Sequence, residues 1–183
     1  VLGHVLAAVR AANPAATVVV LGHGAPTVEG AMDWAGELRV MNHAPERGLA
    51  SSLQLGIDTL RAMPGSFDGA FIVLGDQPHL RAESMRALHR AAAEAGPADR
   101  PAVVPRYERP GPRNPVLLLR PAWSWIDGLD GDEGLASLIE ARSDQVLQVP
   151  VAGDMPDVDT PVDLERLEAR GDAEPGHEPM GRE

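Results

Sequence analysis

The feature that most constrains this chain is an alternation. Short apolar runs, rich in β-branched residues, are separated by longer stretches whose apolar residues fall at helical spacing. Thr17 to Leu21 (TVVVL) and Ala70 to Leu74 (AFIVL) are continuous apolar runs of strand length. A strand with no polar side is covered on both faces, so its sheet needs helices above and below it. Arg39 to Asn42, Ala102 to Pro105, Val116 to Leu119 and Val146 to Val151 read as further, shorter strands. Between them, Leu2, Val5, Leu6 and Val9 form the stripe of an amphipathic helix. A second helix is expected over Val28 to Leu38, weakened by Gly30 and Gly36. Leu49, Leu53, Ile57 and Leu60 mark a strong helix that stops before Pro64-Gly65, and Met85 and Leu88 face inward from a helix over Ala82 to Ala95. A short helix is expected over Gly134 to Arg142, and Thr160-Pro161-Val162-Asp163 has the cap, proline and acid of a final helix start.

Strands alternating with helices predict an α/β fold: three layers, α/β/α, around a Rossmann-like, mixed and mostly parallel sheet. The length of 183 residues suits one domain, placed over 1–170. Residues 171–183 carry almost no apolar mass and are expected to form a disordered acidic tail.

Composition narrows the function. The net charge of −11 argues against a general nucleic-acid binder or a protein that docks on anionic membranes. Every basic residue is Arg, so a lysine Schiff base or a lysine phosphate clamp is excluded within this chain. Cysteine is absent, which removes disulfides, thiolate metal sites and thiol nucleophiles and fits a cytoplasmic location. No apolar run approaches the ~20 residues of a spanning helix. His4 and Arg10 interrupt the first apolar stretch, which reads as a helix rather than a leader peptide.

In parallel-type sheets, ligands bind beyond the carboxyl ends of the strands, so the residues there carry the candidate chemistry. Asp76, in Leu74-Gly75-Asp76-Gln77-Pro78, follows the AFIVL strand. Its carboxylate suits Mg²⁺, which takes one or two carboxylates plus phosphate oxygens, and it equally suits a turn or a helix cap. Asp154, Asp157 and Asp159 follow the last strand and offer a second carboxylate for the same metal, or helix capping. Gly48-Leu49-Ala50-Ser51-Ser52 opens a helix whose free N–H groups suit a phosphate or a base edge, or an ordinary capped start. Arg106, Arg109 and Arg113 lie in one loop, either facing an anion or simply solvated. Trp123 and Trp125 read as packing residues, and Gly131-Asp132-Glu133-Gly134 as a turn into a helix.

Taken in order, these segments resemble the MobA-like nucleotidyltransferases, most closely the molybdenum cofactor cytidylyltransferase branch. The matching pieces are Asn42 with Gly48-Leu49-Ala50-Ser51-Ser52-Leu53, LGDQP at 74–78, and Arg113-Asn114-Pro115-Val116-Leu117-Leu118. Trp123, Gly131-Asp132-Glu133-Gly134 and Asp157-Val158-Asp159-Thr160-Pro161 follow in family order. The resemblance spans residues 1–168. It implies transfer of a nucleoside monophosphate from an NTP, CTP before GTP, to a molybdopterin-type acceptor, with release of pyrophosphate. It implies Mg²⁺ held by Asp76 together with Asp157 or Asp159. Asn42, Gly48, Ser51, Ser52 and Gly75 would contact nucleotide. Asn114 would join them, although many relatives carry His there. A molybdenum hydroxylase is the implied partner enzyme.

The family pattern opens with a strand and a Gly-rich loop of the type LAAGxSxRMGxxK, which grips the triphosphate; this chain has neither that loop nor any Lys. One strand–loop unit of about 30 residues is expected to be missing. Strands beside the gap would then expose unpaired edges, and the chain as written is expected to be poorly stable or to aggregate. The same absence supports an alternative reading, a non-catalytic module that binds cofactor or a partner enzyme on this scaffold.

Overall fold

The computed structural model describes residues 1–96, 99–108 and 113–153. In chain order these form α1 (Leu2–Ala12), β1 (Val18–Leu21), α2 (Ala25–Ala31), β2 (Leu38–Met41), α3 (Leu49–Ala62), β3 (Gly69–Ile72) and α4 (Ala82–Ala95). Then come β4 (Ala102–Arg106), β5 (Val116–Leu119), α5 (Leu135–Ala141) and β6 (Val146–Pro150). Short 3₁₀ segments cover Pro45–Arg47, Arg120–Gly128 and Ser143–Gln145. No described helix is long and apolar enough to cross a membrane. Asp154, Asp157, Asp159, the helix expected after Thr160 and the expected tail lie outside the described residues.

The strands form two sheets. β1 and β2 pair in parallel, and the other four run in the order β3-β5-β4-β6. β5 is antiparallel to both β3 and β4, while β6 is parallel to β4. β3, β4 and β6 therefore point the same way and β5 alone reverses, which makes the sheet mixed. Among the described residues, β1 and β3 each pair along one edge only. Their side chains reflect it: Val18, Val19 and Val20 of β1 are half-buried, whereas Val116 to Leu119 of β5 are buried.

The period-2 alternation of the strands builds the layers. Ala70, Ala102, Val104, Val116, Leu118 and Val146 face one side, where they pack with α3, the Arg120–Gly128 segment and α5. Val103, Leu117, Leu119, Leu147 and Val149 face the other side, against Leu88 and Ala92 of α4. Val5 and Val9 of α1 join Met85 of α4 on that second side, over Phe71 and Val73. Trp123 is 2% exposed, and its indole N–H donates to the Leu118 carbonyl at 3.0 Å, so it is a core residue, as expected.

The second helix departs from its expected span. It begins earlier, at Ala25, because Gly24 turns with φ 86° and Pro26 suits the first turn. It ends at Ala31 because a tertiary ion pair claims the following residues. Arg10 of α1 donates from Nε to Glu37 Oε1 at 2.6 Å and from Nη2 to the Asp33 carbonyl at 2.8 Å. Glu37 Oε2 accepts the Ala35 N–H at 2.7 Å. These bonds hold residues 33–37 in a loop that helix propensity alone, weakened by two glycines, does not overcome.

α3 is fixed at its N-terminus by backbone contact. Gly48 adopts φ 86°, and a Cβ there would lie 2.3 Å from the carbonyl carbon and oxygen of Gly131. The Ala50 N–H, one of the groups a helix start leaves unpaired, donates to that Gly131 oxygen at 3.1 Å. One turn along, Gln54 Nε2 donates to the Leu129 carbonyl at 3.0 Å.

Two outcomes follow. The Arg10 hydrogen bond, opposed by burial and reinforced by the Ala35 N–H, holds the Glu37 carboxyl at about 2 instead of 4.5. Its folded value is depressed, so its stabilisation is complete above about pH 4.5 and disappears as pH falls toward 2. Glu37→Gln is therefore expected to lower the urea midpoint at neutral pH, with the gap to wild type closing through that window; a gap independent of pH would contradict the assignment. Gly48→Ala is expected to cost on the order of 1–3 kcal/mol in urea unfolding, since both its φ and the Gly131 backbone oppose it. Gly131→Ala, at φ 55° but with open space around it, is expected to cost less.

Candidate functional site

The parallel direction of β3, β4 and β6 brings their carboxyl ends, with the amino end of antiparallel β5, to one edge of the sheet. Asp76 leaves that edge after β3, Tyr107 after β4 and Val151 after β6, while Asn114 enters it ahead of β5. The sequence-predicted positions at this edge are Gly75, Asp76 and Asn114.

Asp76 is exposed in the turn between β3 and α4, beside the buried Gln77. A Cβ on Gly75 would come 3.4 Å from Leu2 Cδ1, so the start of α1 lies against this turn. Among the described residues, no three His, Asp or Glu side chains gather into a metal cage. A Mg²⁺ site of the expected kind needs only one or two carboxylates, its remaining ligands being water and phosphate oxygens. An exposed Asp76 at a strand end fits that donor set.

Asn114 is half-buried, and the Asn114–Pro115 peptide bond is cis. Its carbonyl accepts the Tyr107 hydroxyl at 2.7 Å. Burial pushes the Tyr107 phenol up to about 12, against the opposing pull of the Arg81 charge, so the hydroxyl keeps its proton and donates. Beside this pair, an open depression of about 460 Å³ is lined by Arg106, Tyr107, Glu108, Pro150, Val151 and Ala152. Arg113 is exposed; Arg109 lies outside the described residues.

A second group gathers at the mouth of α3. The Asn42 N–H extends the β1–β2 ladder by donating to the Leu21 carbonyl at 2.8 Å, which sets Asn42 just past the carboxyl end of β2. The Asn42 side chain is buried, and its Nδ2 donates to Ser51 Oγ at 2.8 Å and Ser52 Oγ at 3.0 Å. The structure thus brings together Asn42, Ser51 and Ser52, with Gly48 at the head of the same helix. The Gly131 to Gly134 turn closes the group: a Cβ on Gly134 would lie 3.2 Å from Leu49 Cδ2. The sequence reads that turn as an entry to α5 and as one of the family-like segments; it is also the wall against which α3 begins.

Two features escaped the sequence reading. One is Tyr107, the single tyrosine of the chain, whose position one residue past β4 was the available signal. The other is the contact of Gly131 with Gly48, for which glycines at two separate turns were the only hint.

The chain matches the family described as MobA-like NTP transferase domain over residues 1–147. The crystal structure of Rv0371c from Mycobacterium tuberculosis H37Rv has a TM-score of 0.74 and 31% identity, covering 91% of this chain and 81% of that one. A structure of Rv0371C in complex with manganese gives a TM-score of 0.74 at 28% identity, covering 91% and 84%. The bifunctional protein GlmU of Corynebacterium aurimucosum is 38% identical over 96 residues, which is 49% of this chain and 19% of that protein. The chain thus spans about a fifth of the GlmU proteins it matches, for which the share is 20% in Bordetella parapertussis. The family match runs from α1 into β6, and the chain belongs to the MobA-like NTP transferase domain family.

Proposed function

We propose that this protein transfers a nucleoside monophosphate from an NTP, CTP in preference to GTP, to a molybdopterin-type phosphorylated acceptor and releases pyrophosphate. The observation that carries the reading is the convergence of Asp76, Tyr107 and the end of β6 on one strand-end edge, in a chain of this family. The preference for CTP and for molybdopterin rests on the resemblance of the ordered motifs, LGDQP at 74–78 above all.

Asp76 would hold a divalent cation, with Mg²⁺ the expected ion and Asp157 or Asp159 the second carboxylate. The relative solved in complex with manganese supports a divalent ion. When bound, that ion supplies charge neutralisation for the triphosphate and the departing pyrophosphate. The chain's own residues do the rest. The mouth of α3 would offer a serine hydroxyl to the nucleotide, the Ala50 and Ser51 N–H groups there being already paired with the Gly131 and Gly48 carbonyls. Arg106, exposed at the rim of the open depression, places positive charge where a phosphorylated acceptor would enter. Transfer of this kind needs alignment and charge stabilisation more than covalent participation, so a shallow edge with a few fixed donors suffices.

In the intact protein, Asp76→Asn is expected to lower pyrophosphate release from CTP and acceptor by at least about 100-fold, with the unfolding midpoint little changed. Turnover within about threefold of wild type would remove Asp76 from the metal site.

A further inference from the structure

Arg81 stands where local helix energetics oppose it. It is the N-cap of α4 and makes no side-chain cap bond there. That position favours Ser, Thr, Asp or Asn, and a cation at the amino end of a helix meets the positive end of its dipole. Arg10, Arg61 and Arg86 are each held by a carboxylate. Arg81 is exposed and has no such partner among the described residues. A residue that breaks a local helix rule, with no ion pair to offset it, is of the kind found at functional positions.

Its orientation is nevertheless defined. A Cβ built on Gly153 would lie 3.7 Å from the guanidinium carbon and 3.9 Å from each terminal nitrogen. Near-equal distances to three atoms of one planar group mean that the group lies flat over Gly153. The N–H donors lie in that plane, so stacking through the face leaves the donor edge open. Gly153 follows Ala152, which lines the open depression of about 460 Å³ together with Arg106, Tyr107 and Glu108. Burial raises the Tyr107 phenol and the Arg81 charge opposes it, so Arg81 is within electrostatic reach of that lining. Arg106, exposed at the rim, also has no carboxylate partner among the described residues.

We propose that Arg81 is a specificity-determining residue: with Arg106 it forms an oxyanion subsite at the depression, and the open edge of its guanidinium takes the phosphate monoester of the acceptor. The inference rests on the nucleotidyl-transfer reading and narrows it. A guanidinium edge matches two oxygens of one phosphate, which an ammonium does not. Glu108 puts a carboxylate in the same lining, which opposes a polyanion such as a triphosphate and suits a ligand that is anionic at one end only.

The test uses the intact protein in two arms. In the first, phenylglyoxal, which modifies guanidinium groups, is followed at each Arg by peptide mass spectrometry. Inorganic phosphate is expected to slow modification of Arg81 severalfold and to leave Arg90, exposed further along α4, unchanged. Equal rates at Arg81 with and without phosphate would overturn the subsite. In the second arm, Arg81→Ser is expected to raise KM for molybdopterin as acceptor about tenfold, the scale of one charge-assisted contact. KM for CTP and kcat are expected to stay within about twofold. The same variant is expected to raise the urea midpoint, because Ser caps α4 and the cation leaves the positive end of the dipole. Stability and acceptor affinity then move in opposite directions, whereas a merely structural role would make both fall. Arg81→Lys, which keeps the charge without the planar fork, is expected to recover less than half of the lost affinity. A rise in KM for CTP instead would assign Arg81 to the triphosphate and overturn the acceptor assignment. Wild-type protein that turns over neither CTP nor GTP would bring down the transfer reading, and phosphate protection of Arg81 would decide the subsite on its own.

Discussion

Burial of the α3 stripe is the interaction on which the rest of the structure depends. Ala50, Leu53 and Ile57 sit in the core beneath the four-stranded sheet, and burying side chains such as the last two stabilises by roughly 1.5–3 kcal/mol each. The same helix packs on β1, where a Cβ on Gly56 would approach Val20 Cγ2 at 3.4 Å. Among the described residues β1 and β3 do not pair, and α3 packs both on β1 and in the core under the four-stranded sheet. Its small residues make this feasible: Ala50 and Gly56 let the helix lie close without displacing the larger core side chains.

From that anchorage the site takes its geometry. The apolar face of α3 sets how deep the helix sits, and the contact with residues 129–131 sets where it begins. The Asn42 amide then ties the end of β2 to the first turn of α3. On the neighbouring strands, positions are fixed differently: Asp76 and Tyr107 stand four residues and one residue past the ends of β3 and β4, at places dictated by sheet direction. One group is thus held by helix packing and hydrogen bonds, the other by strand order.

Much of this was legible in the sequence because burial leaves a periodic trace. The continuous runs at β1, β3 and β5, the span of α4, the start of α3 after Gly48 and the packing role of Trp123 all follow from local pattern. The position of Asp76 beyond a strand was equally plain. What pattern does not record is which segments meet. The shortening of α2 depends on Arg10 and Glu37, 27 residues apart. The reversal of β5 shows only in its antiparallel pairing with β3 and β4, which its own apolar run does not record. The bond from Tyr107 to Asn114 and the seat of α3 against Gly131 involve single residues with no periodicity. Asp157 and Asp159, the expected second carboxylates from their position after the last strand and from the resemblance, lie outside the described residues.

The approach of Gly48 to Gly131 has a consequence for how such a site can vary. The wall on that side of the α3 mouth is main chain against main chain, with no side chain between. Substitution at the surrounding positions can change what lines the opening, through Leu49 or Ser52, but it cannot shift the wall by a methylene at a time. The width there is quantised: it stays as it is while Gly48 stays, or it changes only when a whole loop is re-routed. Variation at this candidate site is therefore channelled into the chemistry of the rim, against a boundary of constant shape.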